Sequence, residues 1–133
     1  MRTFTGCVIL ESLEADNVLL GLTPIAERVA EMPRDPDAKV WHVRWYALGE
    51  EDLRRRLPIL AQAIRPHWYA HFFDGDDLCV ILPGRFFWAS ASDRSTWNAF
   101  IAYGDTQGVE RRWTENIPTQ VPAWVQTSHS AKE

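Results

Sequence analysis

No apolar run in this 133-residue chain approaches the roughly 20 residues that a membrane-spanning helix needs. The short apolar stretch near the start, MRTFTGCVILES, is interrupted by Glu11 and lacks a small-residue cleavage pattern. It makes a poor signal peptide, and a cytoplasmic protein is the expectation. Cysteine is scarce. Cys7 and Cys79 form no CxxC pair and no zinc spacing, so both read as small buried hydrophobes. No glycine-rich loop is present to cradle a phosphate, and no serine sits in a nucleophile elbow. Basic charge is in deficit, with a formal net charge of −4. That argues against general nucleic-acid binding, which needs a basic footprint to neutralise phosphates. Lysine is nearly missing, 2 residues against 12 arginines, which points to a GC-rich bacterial coding sequence and carries no functional information.

What the chain does contain is typical of one globular domain: 46% hydrophobic and 24% charged residues. Residues 1–118 read as a single α+β domain and residues 119–133 as a partly ordered C-terminal tail. Trp124 is placed to anchor that tail, and residues 127–133 are expected to fray. Thirteen of the 16 aromatic residues lie between Trp41 and Tyr103.

The chain is organised around residues 65–88, RPHWYAHFFDGDDLCVILPGRFFW. Two aromatic and β-branched runs flank Asp74-Gly75-Asp76-Asp77, the residue types that tight hairpin turns demand. A turn centred on Gly75-Asp76 sets Phe73 opposite Leu78, His71 opposite Val80 and Tyr69 opposite Leu82. Side chains alternate along a strand, so His67, Tyr69, His71 and Phe73 share a face with Leu78, Val80 and Leu82. Trp68, Ala70 and Phe72 share the other with Cys79 and Ile81. Neither face is polar, which predicts covered central strands. Pro83-Gly84 should end or bulge the second strand, with 85–89 resuming beyond it.

Elsewhere, residues 3–12 read as a strand and residues 14–21 as one or two helical turns stopped by Gly21. In residues 23–32, TPIAERVAEM, the Thr23 cap and Pro24 favour a helix; a strand reading gives no clean polar face. Residues 40–48 are a strand with Trp41, Val43, Trp45 and Ala47 on one side and His42, Arg44 and Tyr46 on the other. Residues 50–64 are the best helix, acidic in its first turn, with Pro58 predicting a kink or break. A further helix spans 96–103, with Gly104 as its stop, and residues 108–117 are extended or irregular. The order predicts an α+β fold: an antiparallel or mixed sheet of four or five strands, helices mainly on one face, and a ferredoxin-like topology as one candidate.

No motif names a reaction. His67 and His71 share a strand face but lie about 13 Å apart at roughly 3.3 Å per residue, too far to hold one ion, so no metal is expected. The acidic cluster 74–77 lacks calcium-loop spacing and reads as turn chemistry. Arg54-Arg55-Arg56 reads as a solvated helix face. Arg111-Arg112-Trp113 reads as a rim salt-bridge group, with anion binding or base stacking as the alternative. One constellation survives. If residues 40–48 pair beside the hairpin with aligned faces, His42, Arg44 and Tyr46 join His67, Tyr69 and His71 on one surface, with Arg85 at its edge. Such groups suit a small anionic or aromatic ligand, or a peptide carboxylate. The bland alternative places them in ordinary core hydrogen bonds. Two functions follow: a non-catalytic binding or interaction module, with a homodimer as one form of it, or a small enzyme using His42 or His71 as acid–base with Tyr69 and Arg44 in support. The first is favoured, because no nucleophile–base–orienter set is visible. No cofactor is expected.

Overall fold

The computed structural model describes residues 2–126. The hairpin forms at the expected register. Strand β4 (Ala70–Asp74) pairs with β5 (Asp77–Leu82), His71 opposite Val80 and Phe73 opposite Leu78. The ladder begins at Ala70, opposite Ile81, so Tyr69 lies just before it. Gly75 at the tip has φ +58°, the positive value a tight turn asks of its first central residue. Arg2 brackets the tip, reaching Asp74 at 3.0 Å and Asp77 at 2.5 Å.

Pro83-Gly84 does more than end a strand. Gly84 takes φ +84° after a proline, and the chain folds straight back as β6 (Arg85–Ser90), with Leu82 opposite Arg85. Together with β1 (Thr3–Ile9), β2 (Ala26–Glu31) and β3 (Val40–Gly49) this makes a six-stranded antiparallel sheet in the order β2-β3-β1-β4-β5-β6. The expected four or five strands are therefore six.

One added strand corrects the reading of residues 23–32, which form no helix. The segment lies along β3 with Ala26 opposite Trp45 and Val29 opposite His42. Ladder hydrogen bonds to a long neighbouring strand override a local capping signal. As an edge strand it exposes Glu27, Arg28 and Glu31, charges that keep an unpaired edge from recruiting other chains.

Two connections cross one sheet face. The chain leaves β1 through short 3₁₀ turns, Leu10–Ser12 and Asp16–Leu19, passes β3 and becomes β2. It leaves β3 as helix α1 (Glu50–Ala63), passes β1 and becomes β4. Leu53, Leu57 and Leu60 of α1 join Leu13, Leu19, Phe4, Val8 and Phe72 in one core. Helix α1 runs as one element through Pro58, which sits on its exposed side.

The opposite face is covered too, so helices are not confined to one side. Helix α2 (Asn98–Thr106), the single turn α3 (Arg111–Thr114) and residues out to Val125 close a second core. It contains Trp45, Phe73, Leu78, Val80, Trp97 and Phe100. The two apolar faces of the hairpin require this double cover. Gly104 does not stop α2. It lies inside the helix, where an added Cβ would sit 3.1 Å from Thr114 Cγ2; the missing side chain lets α3 approach. Gly108, at φ +75°, follows the helix end instead. Arg28 of β2 lies over the Trp124 ring at 5.5 Å, tying residues before 127 to the sheet. Residues 127–133, expected to fray, lie outside the described residues. Among the described residues no helix is long and apolar enough to cross a membrane.

Candidate functional site

Strand β1 decides which side chains meet. It lies between β3 and β4, with Cys7 opposite Trp45 on one side and His71 on the other. The odd-numbered residues of β3 therefore share a face with His71. His42, Arg44 and Tyr46 are even-numbered and point to the α1 side. The expected six-residue surface is split: Tyr69 and His71 lie on one face, His42, Arg44 and Tyr46 on the other.

His42, Arg44 and Arg85 each have local partners. His42 Nδ1 lies 2.6 Å from Glu11 Oε2, and its backbone N–H donates to Glu11 Oε1 at 2.7 Å. Partial burial would raise the Glu11 carboxyl, but these bonds outweigh it and hold its pKa below the ordinary value. Arg44 pairs with Glu27 at 2.9 Å, and Tyr46 is buried in the α1-side core. Arg85 sits beyond the β5–β6 turn, over Phe87 and Tyr103 at 4.6 and 5.2 Å.

On the other face a cavity of about 140 Å³ opens between the sheet and the segment that carries α3. Its floor is Cys7 and Ile9 of β1, Trp41 and Trp45 of β3, and Tyr69 with His71 at the start of β4. Its sides are Trp68, Trp113 and Pro118. Its mouth is Asp35 and Asp37 from the β2–β3 loop and His67. Trp41 meets Trp68 edge-on at 5.2 Å and 62°, and Trp113 at 6.1 Å and 56°. The three indoles form a corner rather than a flat stack.

His71 is the buried polar group of this cavity. Only 3% of the residue is exposed, and its Nε2 is enclosed without a hydrogen-bond partner. Its ring stacks on Phe73 at 5.9 Å and meets Trp45 edge-on at 5.8 Å. Burial among these rings disfavours the imidazolium and pushes the pKa down to about 4. Burial likewise pushes the Cys7 thiol up to about 12 and raises the Tyr69 phenol. All three groups are uncharged at neutral pH.

The mouth is held by an unusual backbone. His67 is the only non-glycine residue with positive φ among the described residues, at +78°. Its N–H donates to Gln107 O at 2.9 Å, and its ring packs so closely on Gly108 that an added Cβ there would meet Cδ2 at 2.3 Å. The ring's Nδ1 lies 3.4 Å from Asp37 Oδ2. Asp35 caps the loop, its Oδ1 accepting from the N–H groups of Asp37 and Ala38. Such strain concentrates where a site must be held open. A larger cleft, about 550 Å³, continues outward past Glu31, Arg34, Glu110 and Arg112 and shares Asp35, Asp37, His67 and Trp113 with the cavity.

The sequence reading reached His67, Tyr69 and His71, and Trp113 as a stacking alternative, but missed Cys7, Trp41, Trp45, Trp68, Asp35 and Asp37. The alternation of Trp41, Val43 and Trp45 was the available signal; the intervening β1 was not foreseeable from it. Among the described residues no three His, Cys, Asp or Glu side chains converge as a metal site. Comparison with protein families, characterised proteins and solved structures gives no match, so the site is read from its own chemistry.

Proposed function

We propose that this protein is a non-catalytic binding module that takes a small, largely apolar molecule into the cavity beside His71. The carrying observation is the unpartnered Nε2 of a buried imidazole in an aromatic wall. A buried polar atom left without a hydrogen bond costs roughly 1–3 kcal/mol, and a ligand whose entry turns the imidazole enough to reach Nε2 recovers that cost. The cavity is close in size to one of about 150 Å³ that accepts a benzene ring. Binding pockets generally combine apolar walls with a few placed polar groups.

Turnover is the weaker reading. A general base works best with a pKa near the operating pH, and His71 is far below it. The Cys7 thiol is far from the thiolate form that a nucleophile needs. His42, the other acid–base candidate, faces away from the cavity. An anionic ligand is also disfavoured, since the lining contains two carboxylates and neither lysine nor arginine.

The order β2-β3-β1-β4, with both crossovers on one face, supports reading the first four strands as a ferredoxin-like core. In that reading the first helix is reduced to 3₁₀ turns, and the β5–β6 hairpin extends the sheet. The extension and the α2–α3 segment then build a second layer, and the cavity lies under it.

A thermal-shift series with small aromatic alcohols, amines and acids tests the function. Native-state binding raises the melting temperature by mass action. The reading expects shifts that survive His42→Ala and shrink in His71→Leu. A series without any shift, or shifts indifferent to His71→Leu, would count against it.

A further inference from the structure

Four of the seven tryptophans carry an arginine over the ring. Arg54 lies over Trp88, Arg94 over Trp97, Arg112 over Trp113 and Arg28 over Trp124, at 4.6, 3.9, 4.8 and 5.5 Å. Among the described residues, Trp41, Trp45 and Trp68 have no such cation. These three are the indoles that line the cavity together with Trp113, whose arginine approaches from the outer cleft. The cavity thus gathers the indoles that no arginine of the chain occupies, though Trp45 and Trp68 are themselves largely buried.

We propose that the cavity holds an alkylated ammonium head, tertiary or quaternary, carried by a small organic cation. The inference rests on the binding reading above and names its ligand class. Indole faces attract cations through the ring quadrupole, and cages of such rings recognise alkylammonium groups. The inclined planes of Trp41, Trp68 and Trp113 present rings from several directions, which suits a roughly spherical head. Asp35 and Asp37 add negative charge at the mouth, and no lysine or arginine in the lining opposes it. Asp35 is engaged by backbone N–H groups, whereas the exposed Asp37 carboxylate is paired, among the described residues, with the His67 ring at 3.4 Å. The uncharged His71 adds no repulsion. Alkyl groups on the nitrogen matter, because a bare ammonium would lose more hydration than this apolar wall returns. The rest of the ligand would extend along the outer cleft, where Glu31 and Glu110 lie among Arg34 and Arg112.

Calorimetric titration of the full chain with choline, and with the neutral isostere in which carbon replaces the charged nitrogen, tests the class. Free trimethyl-lysine and a peptide containing it form a second arm, and benzyl alcohol a third. The expectation is that choline binds at least about tenfold more tightly than its neutral isostere, in the range of a desolvated cation–π contact. Asp37→Asn and Trp41→Leu should each weaken choline about three- to tenfold, and His42→Ala should leave it unchanged. Asp37→Asn alters an exposed loop side chain, so the test stands even if Trp41→Leu fails to fold. Tighter binding of the peptide than of choline supports the same head group and assigns its source to a modified protein. Equal binding of choline and its isostere overturns the cation class while the binding module survives. No binding in any arm overturns both, and choline binding indifferent to Asp37→Asn and Trp41→Leu overturns this site.

Discussion

Trp45 and His71 sit on strands that are not neighbours, yet their rings meet edge-on at 5.8 Å. Both pair with Cys7 of the intervening strand, whose small side chain leaves room for the two rings to close over it. That contact buries an imidazole without giving its Nε2 a partner. The chemistry of the cavity follows from it.

Stability should therefore depend on pH through His71. In the unfolded chain the imidazole takes up a proton near its ordinary pKa of 6.5; in the folded chain it does so only near 4. Between these values the unfolded state holds more protons, so acid favours unfolding. This contribution is complete above about pH 6.5 and is lost as pH falls toward 4, amounting to a few kcal/mol at most, roughly 1.4 per unit. His71→Leu should flatten that part of the profile. At pH 7 it should be neutral or stabilising by about 1 kcal/mol, because an unpartnered polar atom is removed. Denaturant unfolding of both proteins between pH 4 and 8 measures this; a loss above about 2 kcal/mol in His71→Leu at pH 7 would show that the imidazole is satisfied in the fold.

Gly6 is sterically indispensable. An added Cβ would lie 2.1 Å from His71 O and 2.4 Å from Phe72 Cδ2. Backbone cannot yield as a flexible side-chain end can, so β1 and β4 would have to separate. Gly6→Ala should cost at least about 2 kcal/mol, at the upper end of overpacking effects. Equilibrium unfolding that shows less than about 0.5 kcal/mol would contradict this close approach.

Pro58→Ala should have the opposite sign. Pro58 lies inside α1 on the exposed side, where it removes one intrahelical hydrogen bond and packs little in return. The substitution should stabilise by about 1 kcal/mol or more and raise the melting temperature by several degrees. An unchanged or lower melting temperature would show that the proline ring packs against the neighbouring Val18 turn.

Both thiols should be inert in the native state. Burial pushes Cys7 and Cys79 each up to about 12, and neither is in a disulfide. At pH 8 an aromatic disulfide reagent should modify the folded protein orders of magnitude more slowly than the denatured protein. Two thiols should then appear together on unfolding. Rapid labelling of Cys7 alone would show that the cavity opens more widely than its walls indicate.

Much of the architecture was legible because it is local. Gly75 beside Asp76 marks a turn, the alternation on either side sets the register, and Leu53, Leu57 and Leu60 at helical spacing define α1. Residues 23–32 were misread for a related reason. Thr23 and Pro24 carry a local helix signal, but the segment takes its conformation from ladder bonds to β3, a partner that no local pattern reveals. Gly104 reads as a stop and is in fact a contact point for α3, a distinction that depends on residues ten positions away.

The amino-acid order alone determined the hairpin, its two apolar faces, the amphipathic helix and the need for cover on both sides, since each depends on spacing along one segment. Only the tertiary structure decided which strand lies between β3 and β4. Side chains on a sheet alternate with a period of two, so the insertion of β1, and the parity of its register, sent His42 to one face and Trp45 to the other. A cavity assembled from three strands, two loops and a C-terminal segment exists only once that parity is set.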